Sequence, residues 1–564
     1  MIIGLDVGGT HTDVVLLDQE SLVNEIKVRT DSSDLFQSVL EGLERITAGV
    51  DPKKIERVVL STTLTTNAIV QGAVPNVGMI VSSGPGIDPE YYRTNEQYYP
   101  VSGSIDHRGR RITPVDPEQI KAVGRTLAAA GVRHVGVIGK FSARNPSHEL
   151  EIRRILRDHF EHIFLGHRIS GNLNFPRRIA TTFLNAAVYP IHKEFFTAVK
   201  RSLDRHGLKV PIHILKADGG TMSFEFSIDF PGQTILSGPA ASVMGACAFA
   251  PVDEDVIVLD IGGTTTDMAV LIGGAPLLDP FGIELCGYKT LIRSLNTRSI
   301  GVGGDSVVRI IRGELCIGPD RCGMAMGYGG PSPTPTDALM VLGIMPDGER
   351  DRAVAGLEPL AASLGISLEE TANRIFDLAC QKILTEAVQM VEQINSKPVY
   401  TIHELREGYR VDPKKMMVLG GPAPYFAERL AANSSFRVNT VPKWKVANAI
   451  GAALARTTCE VTLFADTERG ILTAPEEKFK KNVSRDFSRE QAVEKAFDLL
   501  KEKAFVRGAN PRDLEIELLE DLQFNMVRGF DTTGKNIRIK AQVKPGLIHG
   551  YGAVAERLSK KEAP

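Results

Sequence analysis

Two copies of one short polar pattern, Asp-x-Gly-Gly-Thr-x-Thr-Asp, are the residues of this sequence best suited to chemistry. The copies are Asp6-Val7-Gly8-Gly9-Thr10-His11-Thr12-Asp13 and Asp260-Ile261-Gly262-Gly263-Thr264-Thr265-Thr266-Asp267. Glycines let backbone N–H groups approach an anion without a Cβ in the way, threonine hydroxyls donate to phosphate oxygens, and a carboxylate can orient Mg2+ or its waters. The pattern therefore predicts phosphate binding.

Short apolar runs flank both copies and predict the elements that position them. The runs are Met1-Ile2-Ile3-Gly4-Leu5 and Val14-Val15-Leu16-Leu17, then Asp255-Val256-Ile257-Val258-Leu259 and Met268-Ala269-Val270-Leu271. Each unit predicts a β-hairpin whose tip is adapted to phosphate. One copy alone is equally typical of a tight Gly-Gly hairpin with solvated threonines, but the pair favours the phosphate interpretation. Two tips facing each other would hold a triphosphate from both sides.

The composition is that of an ordinary globular protein. The chain has 564 residues, of which 43% are hydrophobic, and this length predicts two to four domains. A formal net charge of -2, without a stripe of basic and aromatic residues, argues against a nucleic-acid partner. Apolar runs are too short for a membrane span, and the residues before Asp6 leave no room for a signal peptide. We therefore expect no membrane association and a cytoplasmic location.

The six cysteines are few for this length, which is typical of reduced thiols rather than a disulfide framework. Cys286, Cys316 and Cys322 leave open a site with three thiolates bound to a metal. Their spacing is not that of a standard zinc knuckle, and whether they bind a metal stays undecided by the sequence.

Strand-like and helix-like segments alternate along the chain, which predicts an α/β fold. A second α/β region, expected to open at residues 213–215, contains the second hairpin. From about residue 459 the composition becomes more charged, which indicates a C-terminal accessory α/β domain. Two lobes with similar tips imply a duplicated architecture with a ligand cleft between them. The predicted domains are 1–185, 186–460 and 461–564.

Several further motifs follow one another in an order similar to that of the hydantoinase A / 5-oxoprolinase family. They are Ser61-Thr62-Thr63-Leu64-Thr65-Thr66-Asn67-Ala68, Phe141-Ser142 with Asn145-Pro146-x-His148-Glu149, Ala217-Asp218-Gly219-Gly220, Ser237-Gly238-Pro239-Ala240, Pro333-Thr334-Pro335-Thr336-Asp337-Ala338 and Asn448-Ala449-Ile450-Gly451-Ala452. The chain resembles that family over about residues 1–460. The resemblance implies the actin, Hsp70 and sugar-kinase fold: two actin-like (ribonuclease H-like) ATPase lobes around a central nucleotide cleft.

The resemblance also implies an activity. Family members use ATP to activate a stable carbonyl compound, and we expect phosphoryl transfer to a cyclic amide such as a hydantoin, 5-oxoproline or a related lactam, followed by ring opening. The family generally acts with a B subunit, so a hydantoinase B-like partner and an oligomer are expected. Three alternatives remain: a subunit of an ATP-dependent ketone carboxylase, a small-molecule kinase, and an Hsp70-like reactivating protein driven by ATP.

These expectations give each motif residue a role in binding ATP and Mg2+. Asp6 and Asp260 are the expected ligands of Mg2+ or its waters, and Asp13 and Asp267 are further catalytic candidates, although each is as well suited to capping its own turn. The remaining candidates for nucleotide contact are Gly8, Gly9, Thr10 and Thr12 in the first tip, Gly262, Gly263, Thr264 and Thr265 in the second, and Gly303, Gly304, Asp305, Gly420 and Gly421 elsewhere.

Some polar residues support two interpretations. His148 and Glu149 suit an acid/base pair, but a capping role for Ser147 and Glu149 at a helix start is favoured. Asp305 and Asp337 suit contact with nucleotide or substrate, and turn stabilisation nearly as well. His11 points to phosphate or to solvent.

The segment 301–330 departs most from the family, because only the ends of its glycine-rich pattern match. We therefore expect it to contact the substrate or the partner and to set specificity, with Arg321 as a test residue. Ala423, where the family usually has glycine, and the loop Ser83-Gly84-Pro85-Gly86 are smaller departures.

Overall fold

The computed structural model describes residues 1–8, 11–31, 35–205, 207–279, 281–396 and 409–561. Gly9 and Thr10, which the sequence analysis assigns to phosphate binding, lie outside the described residues. In that part of the chain, no helix is long and apolar enough to cross a membrane.

The first hairpin begins the sheet of the first lobe. Its strands, Ile2–Val7 and His11–Leu17, are antiparallel, and Arg57–Thr62 pairs with the first of them in parallel. The β-branched and leucine side chains of these strands are buried on both faces, as expected for a central strand covered by helices. The order across this sheet is Thr221–Ser223, Ile212–Leu215, Arg57–Thr62, Ile2–Val7, His11–Leu17 and Leu22–Arg29.

The second lobe repeats this arrangement around the second hairpin. Val256–Ile261 pairs with Thr266–Ile272 antiparallel and with Lys415–Leu419 in parallel. The order is Ala275–Pro276, Thr266–Ile272, Val256–Ile261, Lys415–Leu419 and Arg437–Thr440, with Thr297–Ile300 also paired to Thr266–Ile272. Both lobes thus have a hairpin followed by parallel strands, so the predicted duplicated actin-like fold is confirmed.

Two helices rich in small residues bring the lobes together. Ser237–Cys247 and Ala447–Leu454 cross at Gly245 and Gly451, where an added Cβ on either glycine would overlap the backbone of the other helix. Both helices pack in one apolar cluster with residues of the two hairpins, including Val15 and Val258. This close crossing fixes the position of one hairpin relative to the other.

The first lobe extends beyond the predicted boundary at residue 185. The helix Phe175–Arg205 crosses that boundary, and Ile212–Leu215 pairs in parallel with Arg57–Thr62 of the first sheet. The prediction that residues 213–215 open the second lobe is therefore wrong: these residues form a strand of the first sheet. A short apolar run does not reveal which sheet it joins, because that depends on long-range pairing.

An additional parallel sheet in the first lobe and an antiparallel C-terminal sheet complete the strands relevant here. The first has the order His162–Leu165, His134–Gly139, Val77–Ser82 and Tyr98–Pro100. The C-terminal sheet has the order Phe479–Asn482, Ile471–Ala474, Glu460–Asp466, Asp531–Val543 and Ile516–Arg528. The helix Arg489–Val506, which starts at a capping box of Ser488 and Gln491, packs on it.

The last described helix, Gly552–Lys561, returns to the lobes: Val554 and Leu558 join the apolar cluster between the hairpins. The other α-helices among the described residues are Leu35–Thr47, Leu64–Val70, Pro117–Ala129, Ser147–Leu156, Gly166–Ile169, Phe224–Ser227, Pro335–Val341, Arg350–Leu364, Leu368–Ser396 and Ala423–Ala432.

Candidate active site

The two hairpin tips are closed by equivalent backbone hydrogen bonds. The N–H of Gly8 donates to the carbonyl oxygen of His11 at 3.0 Å, and the N–H of Gly262 donates to that of Thr265 at 2.9 Å. In both hairpins the two aspartates of the motif face each other across the strand pair, Asp6 opposite Asp13 and Asp260 opposite Asp267. The sequence repeat therefore corresponds to a structural repeat that concentrates carboxylates at each tip.

Asp6 is buried at the end of its strand and incompletely paired. Burial first, and then Asp13, raise its pKa to about 6, while hydrogen bonds from Ser61 and Asn448 oppose the shift. Nδ2 of Asn448 donates to Oδ2 at 3.2 Å, whereas Oδ1 is buried without a hydrogen-bond partner among the described residues. A buried carboxylate oxygen without a donor is expensive, which indicates a missing ligand.

Asp260 is the matching residue of the second tip. Its Oδ2 accepts a hydrogen bond from Oγ of Ser242 at 2.5 Å, and burial raises its pKa. Asp13 of the first tip raises the pKa of Asp260 further, and Asp260 in turn raises that of Asp6. The carboxylates of the two hairpins therefore lie close enough to influence one another.

Among the described residues Asp267 accepts no hydrogen bond from its own turn, whereas capping by Asp13 of the turn that contains Gly9 and Thr10 stays a prediction. Asp13 forms an ion pair with Lys27, at 2.8 Å between Oδ1 and Nζ. Burial raises the pKa of Asp267 to about 6, and Asp260 adds to the shift while a hydrogen bond with Ser299 opposes it. Both side chains are held by the strand next to their hairpin, Lys27 in Leu22–Arg29 and Ser299 in Thr297–Ile300.

The threonines divide between the cleft and the interior. Thr264 and Thr265 are half-buried at the second tip. Thr12 is fully buried and its Oγ1 lies 3.0 Å from that of Thr30, so its hydroxyl lies inside the first lobe rather than toward a phosphate. Thr12 lies in the strand His11–Leu17, where successive side chains alternate between the two faces of the sheet, and its side chain points to a buried face.

The loop Gly303-Gly304-Asp305 is attached to the second tip. The N–H of Gly304 donates to Gly262 at 2.9 Å and that of Asp305 to Gly263 at 2.6 Å. An added Cβ on Gly303 would lie 2.6 Å from the carbonyl oxygen of Gly262, so only glycine permits this approach. This loop, predicted to contact the nucleotide, therefore lies directly against the second hairpin tip.

Arg321 also lies on the second tip. Its Nη1 donates to Oγ1 of Thr264 at 3.2 Å, and its Nη2 pairs with Oδ2 of Asp305 at 3.0 Å. The guanidinium of Arg321 therefore contacts the predicted phosphate loop, and the expectation that 301–330 contacts substrate or partner stays a prediction.

Gly420 and Gly421 follow the strand Lys415–Leu419 at the end of the second hairpin's sheet. Gly420 has φ +97°, and an added Cβ would overlap the carbonyl oxygen of Ile261 and touch Oδ1 of Asp260. Gly421 has no heavy atom of the described chain within 4 Å of an added Cβ. One glycine thus packs against Asp260, and the next borders open space.

Two other sequence candidates have structural roles. Asp337 is buried and accepts hydrogen bonds from the N–H groups of Met326, Gly327 and Thr334, the last as part of a capping box. Glu149 does not cap its helix but accepts hydrogen bonds from the N–H groups of Gly139 and His167 and contacts His167 Nδ1. Neither residue belongs with the hairpin tips.

A three-thiolate site is not formed by the described residues, in which no group of three or more His, Cys, Asp or Glu side chains is arranged to hold a metal. Cys286 and Cys322 are exposed and Cys316 is half-buried, all as free thiols.

Comparison with known proteins identifies the family. The sequence pattern of the hydantoinase/oxoprolinase family matches residues 178–461, and that of its N-terminal region matches residues 2–160. The chain belongs to the hydantoinase/oxoprolinase family. This membership accounts for the ordered motifs between the two hairpins.

Individual family relatives are similar along most of the chain. Caprolactamase subunit alpha from Pseudomonas jessenii is 26% identical over 489 residues, covering 78% of this chain and 68% of that protein. The crystal structure of ATP-dependent caprolactamase from that organism has a TM-score of 0.72 at 20% identity and covers 98% of this chain and 88% of that chain. A nucleotide-free structure of acetone carboxylase has a TM-score of 0.71 at 18% identity, with coverages of 97% and 88%. Both structures share the fold.

The donor set at the tips fits the metal that the sequence analysis predicts. Asp6 and Asp260 offer carboxylate oxygens, which Mg2+ prefers, and Asp6 has an oxygen without a donor among the described residues. Sequence reasoning missed Ser61, Ser242, Asn448 and Lys27. Ser61 and Asn448 lie within family motifs, and Ser242 lies in the helix that begins at the motif residue Ser237. The motifs could therefore have indicated these three residues. No motif in the sequence indicates Lys27.

Proposed function

We propose that this chain is an ATP-dependent subunit that binds ATP with Mg2+ between the two hairpin tips and activates a cyclic amide by phosphoryl transfer. The observation that supports this most is the repeated tip, in which two carboxylates meet a glycine turn in each lobe, buried in the first lobe and half-buried in the second. Phosphoryl transfer requires mainly positioning and neutralisation of charge, which such a two-sided site supplies.

In this proposal the backbone N–H groups of the glycine turns bind the phosphates from both sides. Gly9 and Thr10 act from the first lobe and Gly263, Thr264 and Thr265 from the second, whereas the N–H groups of Gly8 and Gly262 close the two turns by donating to His11 and Thr265. Arg321, already held by Asp305, adds a positive charge beside Thr264. The adenosine end lies over Gly420 and Gly421, where open space borders the chain.

Asp6 and Asp260 hold the metal in this proposal. When bound, Mg2+ supplies charge neutralisation for the phosphates. Asn448 and Ser242 orient the two carboxylates through Oδ2 of each, leaving Oδ1 of Asp6 for the metal or a metal-bound water. Asp13 and Asp267 add negative charge behind them, with Lys27 balancing the first.

The proposed reaction is the ATP-dependent hydrolysis of a lactam. The amide oxygen attacks the γ-phosphorus, the bond to the β–γ bridging oxygen breaks and ADP leaves. Water then adds to the activated carbonyl carbon, and the ring C–N bond breaks as the ring nitrogen takes a proton, which leaves an acyl phosphate. A second water attacks this acyl phosphate, its bond to phosphate breaks, and phosphate is released. The products are an amino acid, ADP and phosphate. Activation is needed because an unmodified amide is a stable electrophile.

The relatives support a hydrolase, and they make ketone carboxylation the alternative outcome of the test. The name of the caprolactamase describes an ATP-dependent enzyme that acts on a lactam. The name of the acetone carboxylase structure describes ATP-dependent carboxylation of a ketone. The two solved structures are almost equally similar in fold, so substrate class must come from assay. Because the caprolactamase relative is named as a subunit, we also propose a hydantoinase B-like partner and an oligomer.

Two measurements test the proposal. Calorimetric titration of the chain with a non-hydrolysable ATP analogue should give Mg2+-dependent binding, and Asp260→Asn should lose it, whereas Asp279→Asn, on a loop away from the tips, should not. ADP release is then measured with hydantoin, 5-oxoproline, caprolactam, and acetone with bicarbonate. Each substrate is tested with and without a co-expressed hydantoinase B-like subunit. ADP release with only the ketone would overturn the lactam proposal, and absence of nucleotide binding would overturn the site.

A further inference from the structure

A cavity of about 140 Å3 lies between the first lobe and the C-terminal sheet. Residues 108–109 and 144–146 of the first lobe form one side of it. The other side is one face of the sheet, where two rows of side chains across the paired strands line the cavity: Phe464, Thr473 and Lys480, then Asp466, Ile471 and Asn536. The described residues that line it belong to neither hairpin tip, so the cavity is separate from the nucleotide site proposed above.

Positive charge is in excess on the wall of this cavity. Four cationic side chains line it: Arg108, Arg144, Arg469 and Lys480. Asp466 is the one carboxylate among the described lining residues, and both its oxygens are engaged, Oδ2 with Nη2 of Arg108 at 3.2 Å and Oδ1 with the backbone N–H of Arg469 at 3.0 Å. The same Nη2 of Arg108 also pairs with Glu468 at 2.5 Å. Even with Glu468 counted, the cations outnumber the carboxylates by four to two.

Arg144 brings an unpaired guanidinium to the cavity. Its Cζ lies 4.5 Å from the centre of the Phe464 ring, a contact that orients the guanidinium plane. Burial lowers the pKa of Arg144, and Arg538 lowers it further while Asp466 opposes the shift. Nε is buried without a hydrogen-bond partner in the described chain. Nη1 and Nη2 likewise have no such partner there, but they are not buried, so both can donate to a ligand in the cavity.

Two exposed cations make the cavity reachable from solvent. Arg469 is exposed, and its Nη1 donates to the carbonyl oxygen of Arg108, which holds the guanidinium against the first lobe. Lys480 is exposed on the strand Phe479–Asn482. Neither side chain forms an ion pair within the described ranges. The half-buried amide of Asn536 adds an uncharged donor beside them. An anion can therefore reach Arg144 by passing between side chains that attract it.

We infer that this cavity binds an inorganic phosphate ion, held by both Nη atoms of Arg144 and by the charges of Arg469 and Lys480. Two excess positive charges match a dianion, and donors on several sides match a tetrahedral ion better than a planar carboxylate. A cavity of roughly 150 Å3 can hold a molecule as large as benzene, so 140 Å3 has room for phosphate. The bound ion would join the first lobe to the C-terminal sheet.

Calorimetric titration of the full chain with sodium phosphate tests the proposal, at pH 7.5 and at an ionic strength held constant with sodium chloride. Mg2+ and a non-hydrolysable ATP analogue are present at saturation, so that phosphate cannot bind at the hairpin tips. Phosphate should bind saturably, and sulfate, which has a similar shape and charge, should bind comparably. Acetate, which is planar and singly charged, should bind at least about tenfold more weakly. If the analogue itself does not bind, the variants still locate the phosphate.

Arg144→Met should weaken phosphate binding about tenfold, because it removes two charged donors. Arg144→Lys should weaken it less, since an ammonium keeps the charge but not the two parallel donors. Lys480→Met should weaken it about threefold. Lys481→Met is the matched control and should bind phosphate as the wild type does, because Lys481 is also exposed on this strand but points to the opposite face.

If Arg144→Met does not fold, the comparison of Lys480→Met with Lys481→Met still decides. Phosphate that acts no differently from chloride would overturn the proposal. So would wild-type affinity in both Arg144→Met and Lys480→Met, or equal losses in Lys480→Met and Lys481→Met.

Discussion

Arg321 and Thr264 are joined by a hydrogen bond, with Nη1 of the arginine 3.2 Å from Oγ1 of the threonine. The two residues are far apart in sequence, and Thr264 belongs to the second glycine turn. The contact brings the segment that departs most from the family onto the motif that matches it best. The segment 301–330 therefore reaches the predicted phosphate loop at this position.

Arg321→Ala should weaken binding of an ATP analogue by about tenfold, because it removes a charged donor beside the proposed phosphate site. Calorimetric titration in the presence of Mg2+ measures the change. Arg312→Ala is the control and should leave the affinity unchanged. Arg312 lies on the turn between the paired strands Val308–Ile311 and Glu314–Ile317. If Arg321→Ala binds the analogue with unaltered affinity but responds differently to substrate, the result would favour the specificity role expected for segment 301–330.

Gly420 and Gly421 should respond in opposite ways to alanine. Gly420→Ala should destabilise the protein by about 2 kcal/mol or more, because its φ of +97° is unfavourable and the new Cβ would overlap Ile261. Gly421→Ala should keep its stability, since an added Cβ meets no heavy atom of the described chain within 4 Å.

The measurements are urea unfolding and titration with an ATP analogue. Gly421→Ala is expected to bind about fivefold more weakly, because its methyl group enters the space proposed for adenosine. Equal stability losses in both variants would mean that Gly421 is packed like its neighbour. Unchanged nucleotide affinity in Gly421→Ala would move the adenosine elsewhere.

The repeat in the sequence was sufficient to predict the hairpins and the duplicated lobes, since each copy contains its own glycines, carboxylates and flanking strands. Pairing partners from distant segments were not predictable in this way. The strand Ile212–Leu215 joins the first sheet, and Lys27 reaches Asp13 from a neighbouring strand. No local pattern encodes either contact, because both depend on how the chain returns to the sheet.

Glu149 illustrates a second limit of sequence reasoning. Its position two residues into a helix favours capping, yet the side chain turns toward a buried cluster of His167 and Arg178. Arg178 is itself fully buried and donates to Oγ of Ser142 at 2.6 Å and to the carbonyl oxygen of Gly139 at 3.0 Å. Local helix rules say nothing about such long-range charge pairing.

Glu149→Gln should therefore lower the free energy of unfolding by about 3 kcal/mol, because it leaves buried donors and a buried cation without their partner. Burial alone would raise the pKa of Glu149, but His167 and Arg178 lower it below its usual value. The stabilisation is thus present above the unfolded pKa and is lost as pH falls through the folded one. Urea unfolding at neutral and acidic pH measures it.

Glu151→Gln is the matched control, since Glu151 pairs with Arg111 nearer the surface. That change should cost less than about 1 kcal/mol. A similar loss in the two variants would mean that the buried cluster adds nothing beyond a surface ion pair.

Asp6→Asn should stabilise the nucleotide-free protein while removing Mg2+-dependent nucleotide binding. The folded pKa of Asp6 is raised to about 6 from 3.8, so the native state holds a proton more tightly than the unfolded state. Stability from this residue therefore falls as pH rises from about 4 to about 6 and then stays low. At pH 7.5 the variant should be more stable by on the order of 2 kcal/mol, and at pH 3.5 the difference should vanish.

Asp158→Asn, at an exposed residue, should show no such difference. Urea unfolding across this pH range, with analogue titration at pH 7.5, measures both effects. A variant that is less stable at pH 7.5, or that still binds the nucleotide with Mg2+ dependence, would contradict a metal-binding role for a buried and strained carboxylate.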